Sequence, residues 1–191
     1  NGPRALTDDP ARDERPKVKE VYEVLRPAPG QRIADIGAGS GYFSFKLASM
    51  VGPSGRVFVT DTGHCQIGQM LKALQSKKAS NVEILWTAPT HLSIPLDGDL
   101  DSILVFDSTI MTHGSHDIFR NVVMLVQLGR ALRSGGVLSI HEWGEGDFDP
   151  DTAPVTCRRD PPRPSLLVEW ARALGFGRNE RVGDRIALFR D

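Results

Sequence analysis

The sequence predicts an α/β fold in which a doubly wound, mostly parallel sheet carries helices on both faces. Strand-like apolar runs alternate with segments of helical periodicity through five units, and the chain closes with a hairpin. This order implies one antiparallel strand inserted near an edge of the sheet. The 191 residues suffice for one well-buried domain and are short for two.

The chain begins with a polar, charged lead-in. Residues 1–14 contain proline and several charges, so we expect them to be extended or mobile ahead of a single domain over residues 15–191. From Arg15 to Leu25 the apolar residues repeat at helical spacing, and Pro16 is typical of a first helical turn. The segment Pro27 to Gly30 then ends this helix.

The clearest local pattern is a strand, a tight turn and a helix. Arg32 to Ile36 is β-like and carries Asp35, and helical spacing runs from Gly41 to Val51. Between them lie three alternating glycines, Gly37, Gly39 and Gly41. Glycines let the backbone adopt conformations closed to other residues and let a ligand approach the main chain. The first turn of the helix also points unpaired N–H groups into the same crevice.

This glycine turn differs from two common nucleotide-binding loops. It lacks the Gly-Lys-Ser/Thr ending of a phosphate loop. Its glycines follow G-x-G-x-G rather than the G-x-G-x-x-G of dinucleotide-binding folds, and Tyr42 holds the place of the small residue that would pack helix on strand. An NAD-dependent oxidoreductase is therefore disfavoured. A strand-helix turn without a ligand is the remaining alternative, although the acidic residue and the glycines fall in register directly after a strand pattern.

The later segments continue the alternation. Arg56 to Thr60 is a short apolar strand that ends in Asp61. The remaining predicted elements are a helix at Gln66 to Gln75, strands at Asn81 to Trp86 and Ser102 to Phe106, a helix at Asp117 to Leu132 with a glycine stop at Arg133 to Gly136, a strand at Val137 to Ile140, a helix at Leu166 to Leu174, and a hairpin of Asn179 to Val182 with Arg185 to Phe189. Gly144 to Pro164 shows little periodicity, which predicts a lid or a connection over the carboxyl edge of the sheet.

Composition argues against several classes of protein. The formal net charge is −1 with both signs interspersed, so we expect neither nucleic acid nor anionic lipid as a partner. No apolar run approaches the roughly 20 residues of a membrane helix. Cys65 and Cys157 lie far apart without a CxxC, which disfavours a disulfide framework, and Cys65 is expected to be buried and inert. We expect a cytoplasmic protein, which a targeting segment upstream of Asn1 would change.

The acidic-x-G-x-G-x-G pattern of Asp35 to Gly41 resembles motif I of the class I S-adenosylmethionine-dependent methyltransferases. The resemblance runs roughly from Lys17 onward, in the order and spacing of the broad bacterial, small-molecule type. It is carried by six segments, RPAPGQRIADIGAGSGYFSFKLA, VGPSGRVFVTD, NVEIL, PLDGDLDSILVFD, LGRALRSGGVLSIHEW and ARALGFGRNERVGDRIALF. It implies a Rossmann-like seven-stranded sheet of order 3-2-1-4-5-7-6. It also implies methyl transfer from S-adenosylmethionine to a small-molecule acceptor, by a monomer or homodimer that releases S-adenosylhomocysteine.

The resemblance assigns a role to each part of the cofactor site. It puts Asp35 near the methionine amino group, the backbone of Gly37 to Gly41 against the methionine portion, and Asp61 on the ribose. An acidic side chain at the end of a second strand can accept hydrogen bonds from both ribose hydroxyls, and an N-cap role for Asp61 is compatible with this. The expected cofactor-binding residues are Asp35, Gly37, Ala38, Gly39, Ser40, Gly41, Tyr42, Asp61, Thr62, Thr87, Ala88 and Asp107.

The chain departs from the family pattern in two places. Ala88 stands where an aspartate usually accepts the adenine amino group, which leaves the backbone of Thr87 and Ala88, or the side chains of Thr90 and His91, as substitutes. Losing one such bond costs about 1.5–3 kcal/mol, or roughly one to two powers of ten in affinity. The His-His pair that some relatives carry after the fourth strand is also absent. A non-catalytic protein that binds the cofactor or its product is therefore the alternative function.

Methyl transfer needs an in-line nucleophile, and it needs a base only if the nucleophile is protonated. The loops after the fourth and fifth strands should flank the methyl group. Their candidate catalytic residues are His113, His116 and His141, because histidine suits proton removal near neutral pH. Glu142 and Trp143 are expected to contact the substrate.

Simpler roles compete with these assignments, since His116 with Asp117 could cap a helix and catalysis could be mainly positioning. We expect no bound metal, because no i,i+4 histidine pair supports one. The absence of an Asn/Asp-Pro-Pro-aromatic tetrapeptide also disfavours methylation of DNA bases.

Overall fold

The computed structural model describes residues 10–88, 90–106, 118–141, 171–182 and 185–190. Its elements in chain order are α1 (Pro10–Asp13), α2 (Pro16–Leu25), β1 (Arg32–Ile36), α3 (Tyr42–Val51), β2 (Arg56–Asp61), α4 (His64–Lys77), β3 (Val82–Trp86), β4 (Leu100–Phe106), α5 (Ile118–Ala131), β5 (Leu132–His141), β6 (Phe176–Val182) and β7 (Arg185–Arg190). Residues 171 to 173 are helical as well. No helix in these ranges is both long and apolar enough to cross a membrane.

The strands form one seven-stranded sheet of order β3-β2-β1-β4-β5-β7-β6. The strands β3, β2, β1, β4 and β5 are parallel to one another. The strand β7 pairs antiparallel with both β5 and β6. The predicted fold class, strand order and antiparallel insertion near the edge are therefore confirmed.

The central strands are buried on both faces because their side chains alternate between two apolar layers. Ala34, Phe58 and Ile103 lie in the layer that contains the side chains of α5. Their chain neighbours Ile33 and Val57 lie in the layer that contains the side chains of α2, α3 and α4. The prediction of helices on both faces is thus confirmed, and the carboxyl ends of β1 to β5 are left as the edge where loops meet.

Two local expectations differ from the structure. Residues 1–14 are expected to be extended or mobile; within them Pro10–Asp13 is helical, and its Asp13 side chain bonds Tyr42 and Lys46 of α3. Such long-range contacts lie outside any local sequence pattern. The glycine stop expected at residues 133–136 lies inside β5, where the pairing with β4 shifts register opposite Asp101. The Asp101 carboxylate accepts hydrogen bonds from Arg133 Nε at 2.9 Å and from the Arg32 N–H at 2.8 Å, which supports that irregularity.

Other expectations lie outside the described residues. They include the lid at residues 144–164, the first part of the helix expected from Leu166, and the turn at Gly183 and Asp184 between β6 and β7. The division of the chain at residue 14 stays a prediction.

Asn81 ties the end of α3 to the start of β3. Its Nδ2 donates hydrogen bonds to the backbone oxygens of Ala48 and Gly52, both at 2.8 Å. Because helix ends leave carbonyl groups unpaired, we expect Asn81→Ala to lower the free energy of unfolding by about 1–3 kcal/mol in urea denaturation. Ser76→Ala removes one exposed hydroxyl bond to Ala73 and should cost less than about 0.5 kcal/mol. Equal losses in the two variants would contradict this role of Asn81.

Candidate functional site

The glycine turn joins β1 to α3 at the carboxyl edge of the sheet. The N–H groups of Gly37 and Ala38 donate to the Thr60 carbonyl at 2.8 and 3.0 Å, which fastens the turn to the end of β2. The backbone angle φ is 70°, 60° and 84° at Gly37, Gly39 and Gly41. Residues with a Cβ rarely adopt this left-handed region, so the shape of the turn explains the glycines.

Gly39 and Gly41 differ in their surroundings. A Cβ built on Gly39 meets no described atom within 4 Å. A Cβ on Gly41 would lie 2.9 Å from Phe45 Cε2 and 3.3 Å from Met70 Cγ. The main chain at Gly39 is therefore open on this side as far as the described residues extend, whereas Gly41 is packed against side chains of α3 and α4.

Asp61, at the end of β2, holds the turn in place. Its Oδ2 accepts from the Gly39 N–H and its Oδ1 from the Gly63 N–H, both at 2.8 Å. A carboxylate has about four acceptor positions, so positions remain for two hydroxyl groups. The expected N-cap role is wrong, because α4 begins at His64 with Gly63 as its N-cap and no side-chain cap bond. Asp61 instead makes the local turn bond typical of aspartate.

Asp35 is a buried carboxylate beside the turn. Its side chain is 2% exposed, and Ser44 Oγ donates to its Oδ2 at 2.6 Å. Burial raises the pKa of Asp35 to about 6, and the Asp61 charge adds to the rise, while the Ser44 bond and the Arg12 charge oppose it. A cation bound beside Asp35 would relieve this burial cost. Ser44 was missed from the sequence, although a serine between two phenylalanines in the first turn of α3 is a signal that could have found it.

The N-terminal helices add polar groups that sequence reasoning missed. The Tyr22 hydroxyl is buried and has no hydrogen-bond partner among the described residues. Burial, with the charges of Asp13 and Asp35, raises the pKa of Tyr22 to about 12. The Arg12 guanidinium lies 3.9 Å from the Tyr42 ring centroid, close enough for its charge to act on both Tyr22 and Asp35. These groups suit the two charges of a free amino acid.

An aromatic cluster lies at the ends of β4 and β5. His141 is 1% exposed and stacks on Phe106, with ring centroids 4.3 Å apart and planes within 5°. Phe106 in turn contacts Phe43 of α3, at 4.7 Å between centroids. His141 is thus connected through Phe106 to the helix that follows the glycine turn. Its proposed catalytic role stays a prediction.

The segment after β3 pairs with itself. The Thr87 N–H donates to the Asp61 carbonyl at 3.1 Å, and its buried hydroxyl donates to the His91 carbonyl. Ala88 and His91 form a β-bridge in which each N–H donates to the other carbonyl at 3.1 Å. The sequence left the backbone groups of Thr87 and Ala88 as substitutes for the missing aspartate. Of these groups, both N–H donors and the Ala88 carbonyl acceptor are already used within the protein. The side chains of Thr90 and His91 are exposed.

The predicted site residues fall into three groups. The structure brings together Asp35, Gly37, Ala38, Gly39, Ser40, Gly41, Asp61, Thr62, Thr87 and Ala88 at the ends of β1, β2 and β3. Tyr42 is buried, and its hydroxyl bonds Asp13 in α1. Asp107, His113, His116, Glu142 and Trp143 lie outside the described residues. Cys65 is exposed rather than buried, because it lies in the first turn of α4.

The chain resembles known methyltransferases over most of its length. A family model described as "Methyltransferase domain" matches residues 27–156. The ubiquinone/menaquinone biosynthesis C-methyltransferase UbiE of Ectopseudomonas mendocina (strain ymp) is 30% identical over 127 residues, which cover 65% of this chain and 46% of that protein. The crystal structure of a SAM dependent methyltransferase from Aquifex aeolicus matches with a TM-score of 0.68 and 23% identity, and the match covers 95% of this chain and 93% of that one.

A shorter similarity joins the chain to a protein-L-isoaspartate O-methyltransferase of Aeropyrum pernix. The two are 46% identical over 44 residues, which cover 23% of this chain and 17% of that protein. The chain therefore spans less than half the length of these two curated relatives.

Asp35 should make the stability of the ligand-free protein depend on pH. Its folded pKa of about 6 exceeds the ordinary value of 3.8, so the native state holds the proton more tightly than the unfolded chain. Its contribution to stability is present below about pH 4 and is lost as the pH rises through 6. We expect Asp35→Asn to be more stable than the parent by about 1–3 kcal/mol at pH 7 and nearly equal at pH 4. Urea unfolding at both pH values measures this, and a gain of the same size at both would contradict it.

Proposed function

Because the chain belongs to the class I S-adenosylmethionine-dependent methyltransferases, we propose that it transfers the methyl group of S-adenosylmethionine to a small-molecule acceptor. The observation that carries the proposal is the open main-chain position at Gly39 between two carboxylates on adjacent strands, Asp35 and Asp61. A cofactor with a cationic amino acid at one end and a ribose in the middle has complementary groups for this arrangement.

The methionine end of the cofactor fits the surroundings of Asp35. A buried carboxylate with a raised pKa is stabilised by a neighbouring ammonium group. The buried Tyr22 hydroxyl and the nearby Arg12 guanidinium can bind a carboxylate. Neither residue is among those expected from the sequence. We assign Asp35 to the amino group and Tyr22 with Arg12 to the carboxylate of the methionine portion.

The ribose fits Asp61, whose free acceptor positions lie next to Gly39. When bound, S-adenosylmethionine supplies a methyl group activated on a sulfonium. The chain's part is to hold the acceptor in line with that methyl group and to exclude water. We assign positioning of the acceptor to the aromatic cluster of His141, Phe106 and Phe43, with His141 as the candidate base.

The similarity to a C-methyltransferase of ubiquinone/menaquinone biosynthesis supports a small organic acceptor, and it covers 65% of this chain. The near-neutral formal charge supports the same class, because it disfavours nucleic acid. The similarity to a protein-L-isoaspartate O-methyltransferase supports a protein acceptor less, since it covers 23% of the chain.

The bridge between Ala88 and His91 favours a second candidate function, a protein that binds S-adenosylmethionine or S-adenosylhomocysteine without turnover. A weakly held nucleoside suits a sensor of cofactor concentration as well as an enzyme. The two functions can be separated by incubating the protein with S-adenosylmethionine and phenols, amines or thiols as acceptors. Mass spectrometry then measures how much S-adenosylhomocysteine is released. Acceptor-dependent release supports the enzyme, and binding without release under any acceptor supports the sensor.

Three glycine substitutions test the cofactor site. Gly39→Ala should weaken binding of S-adenosylhomocysteine at least tenfold in isothermal titration calorimetry, because its Cβ fills the open space beside the turn. Its left-handed backbone should cost about 1–2 kcal/mol of stability. Gly41→Ala should destabilise the fold more, since its Cβ lies 2.9 Å from Phe45.

Gly68→Ala is the matched control, because Gly68 lies within α4 with no atom near its Cβ position. It should stabilise the helix by about 0.5–1 kcal/mol and leave binding unchanged. Unchanged binding by a folded Gly39→Ala variant would place the ligand elsewhere.

A further inference from the structure

We propose that the cofactor pocket does not read the 6-position of the purine, so that it binds 6-oxopurine forms of the cofactor nearly as tightly as the adenine form. The inference deepens the proposed function and rests on it. On this inference, the side chain at position 88 sets the specificity for the base. The site would then accept a wider class of ligands, the S-nucleosylhomocysteines whose purine is altered at the 6-position.

The sheet places the base at the segment after β3. The carboxyl ends of β1, β2 and β3 are neighbours, with Asp61 in register with Trp86 at the end of β3. Adjacent strands lie about 4.8 Å apart. A ligand whose amino acid lies at Asp35 and whose ribose lies at Asp61 therefore extends its base outward over Thr87 and Ala88. The hydrogen bond from the Thr87 N–H to the Asp61 carbonyl holds these two ends together.

Three backbone carbonyls that could accept from a 6-amino group are already hydrogen-bonded within the protein. Ala88 accepts from the His91 N–H, His91 accepts from the Ala88 N–H and the Thr87 hydroxyl, and Trp86 accepts from the Ser93 hydroxyl. The N–H groups of Thr87, Ala88 and His91 all donate within the protein, and residue 89 has no N–H because it is proline. The Thr87 hydroxyl is buried and donates to the His91 carbonyl. No acidic side chain occurs between Glu83 and Asp97, so no carboxylate follows β3 to accept from a 6-amino group.

This arrangement predicts weak discrimination between purines. A site that hydrogen-bonds a ligand group rejects an analogue without it, because its own buried polar groups are left unpaired. One charge-assisted bond to the 6-amino group corresponds to roughly one to two powers of ten in affinity. The methyl group of Ala88 and the paired backbone around it lose no hydrogen bond when a 6-oxo group replaces the amino group. Anchoring by Asp35 and Asp61 is the same for both ligands.

The experiment compares S-adenosyl-L-homocysteine with S-inosyl-L-homocysteine, its 6-oxo form, by isothermal titration calorimetry. The parent protein should bind both within about threefold. Ala88→Asp should prefer the adenosyl compound at least tenfold, because a carboxylate accepts from an amino group and repels a carbonyl oxygen. Ala88→Asn is the matched control of the same shape, and it should show no such preference because an amide can accept or donate. Ala88 is only partly buried, so both side chains have access to solvent.

Each outcome is informative. A parent protein that binds the adenosyl compound and rejects the inosyl compound at least tenfold overturns the inference and leaves the proposed function intact, because another group then reads the base. Equal preference by Ala88→Asp and Ala88→Asn, with both variants folded by circular dichroism, would remove position 88 from the base site and so also overturn it. Binding of neither compound to the parent protein overturns the proposed function itself.

Discussion

The candidate site depends on the hydrogen bonds that fasten the glycine turn of β1 to the end of β2. Thr60 accepts from Gly37 and Ala38, and the Asp61 carboxylate accepts from the Gly39 N–H. These bonds fix the left-handed backbone of the turn before any ligand is present. Asp61 is therefore a structural residue as well as a ligand-binding candidate. A pre-formed turn lowers the entropy cost of binding, since the loop need not be ordered by the ligand.

Around this turn, two buried polar groups lie at one end of the site, and each is incompletely compensated. Asp35 is buried at a cost that raises its pKa to about 6, and the Tyr22 hydroxyl has no partner among the described residues. Neither arrangement favours the ligand-free fold. A zwitterionic amino acid would satisfy both groups at once. Binding energy is thus concentrated where the amino-acid portion of the cofactor would lie.

The other end of the site is built differently. Beyond Asp61 the segment of Thr87, Ala88 and His91 satisfies its own N–H groups. The main chain of this segment, which follows β3, therefore has the Ala88 and His91 carbonyls hydrogen-bonded as well. In the proposed function, polar side chains would hold the methionine and ribose portions, whereas the purine would meet no acidic side chain from the segment after β3. The two ends differ because Ala88 carries no polar side-chain group and pairs with His91 through the main chain.

The sequence by itself determined the strands of the sheet, the glycine turn and the place of Asp61, because periodicity, φ requirements and strand ends are local properties. The order of the strands came from the resemblance to a known family. An element absent from the sequence prediction, α1, occurs where Asp13 makes distant contacts with Tyr42 and Lys46. Only the tertiary structure decided that Ser44 holds Asp35, that Asp61 holds Gly39, and that Ala88 pairs with His91. Hydrogen-bond partners are set by the positions of atoms in space. For residues that are far apart in the chain, those positions are defined only once the chain has folded.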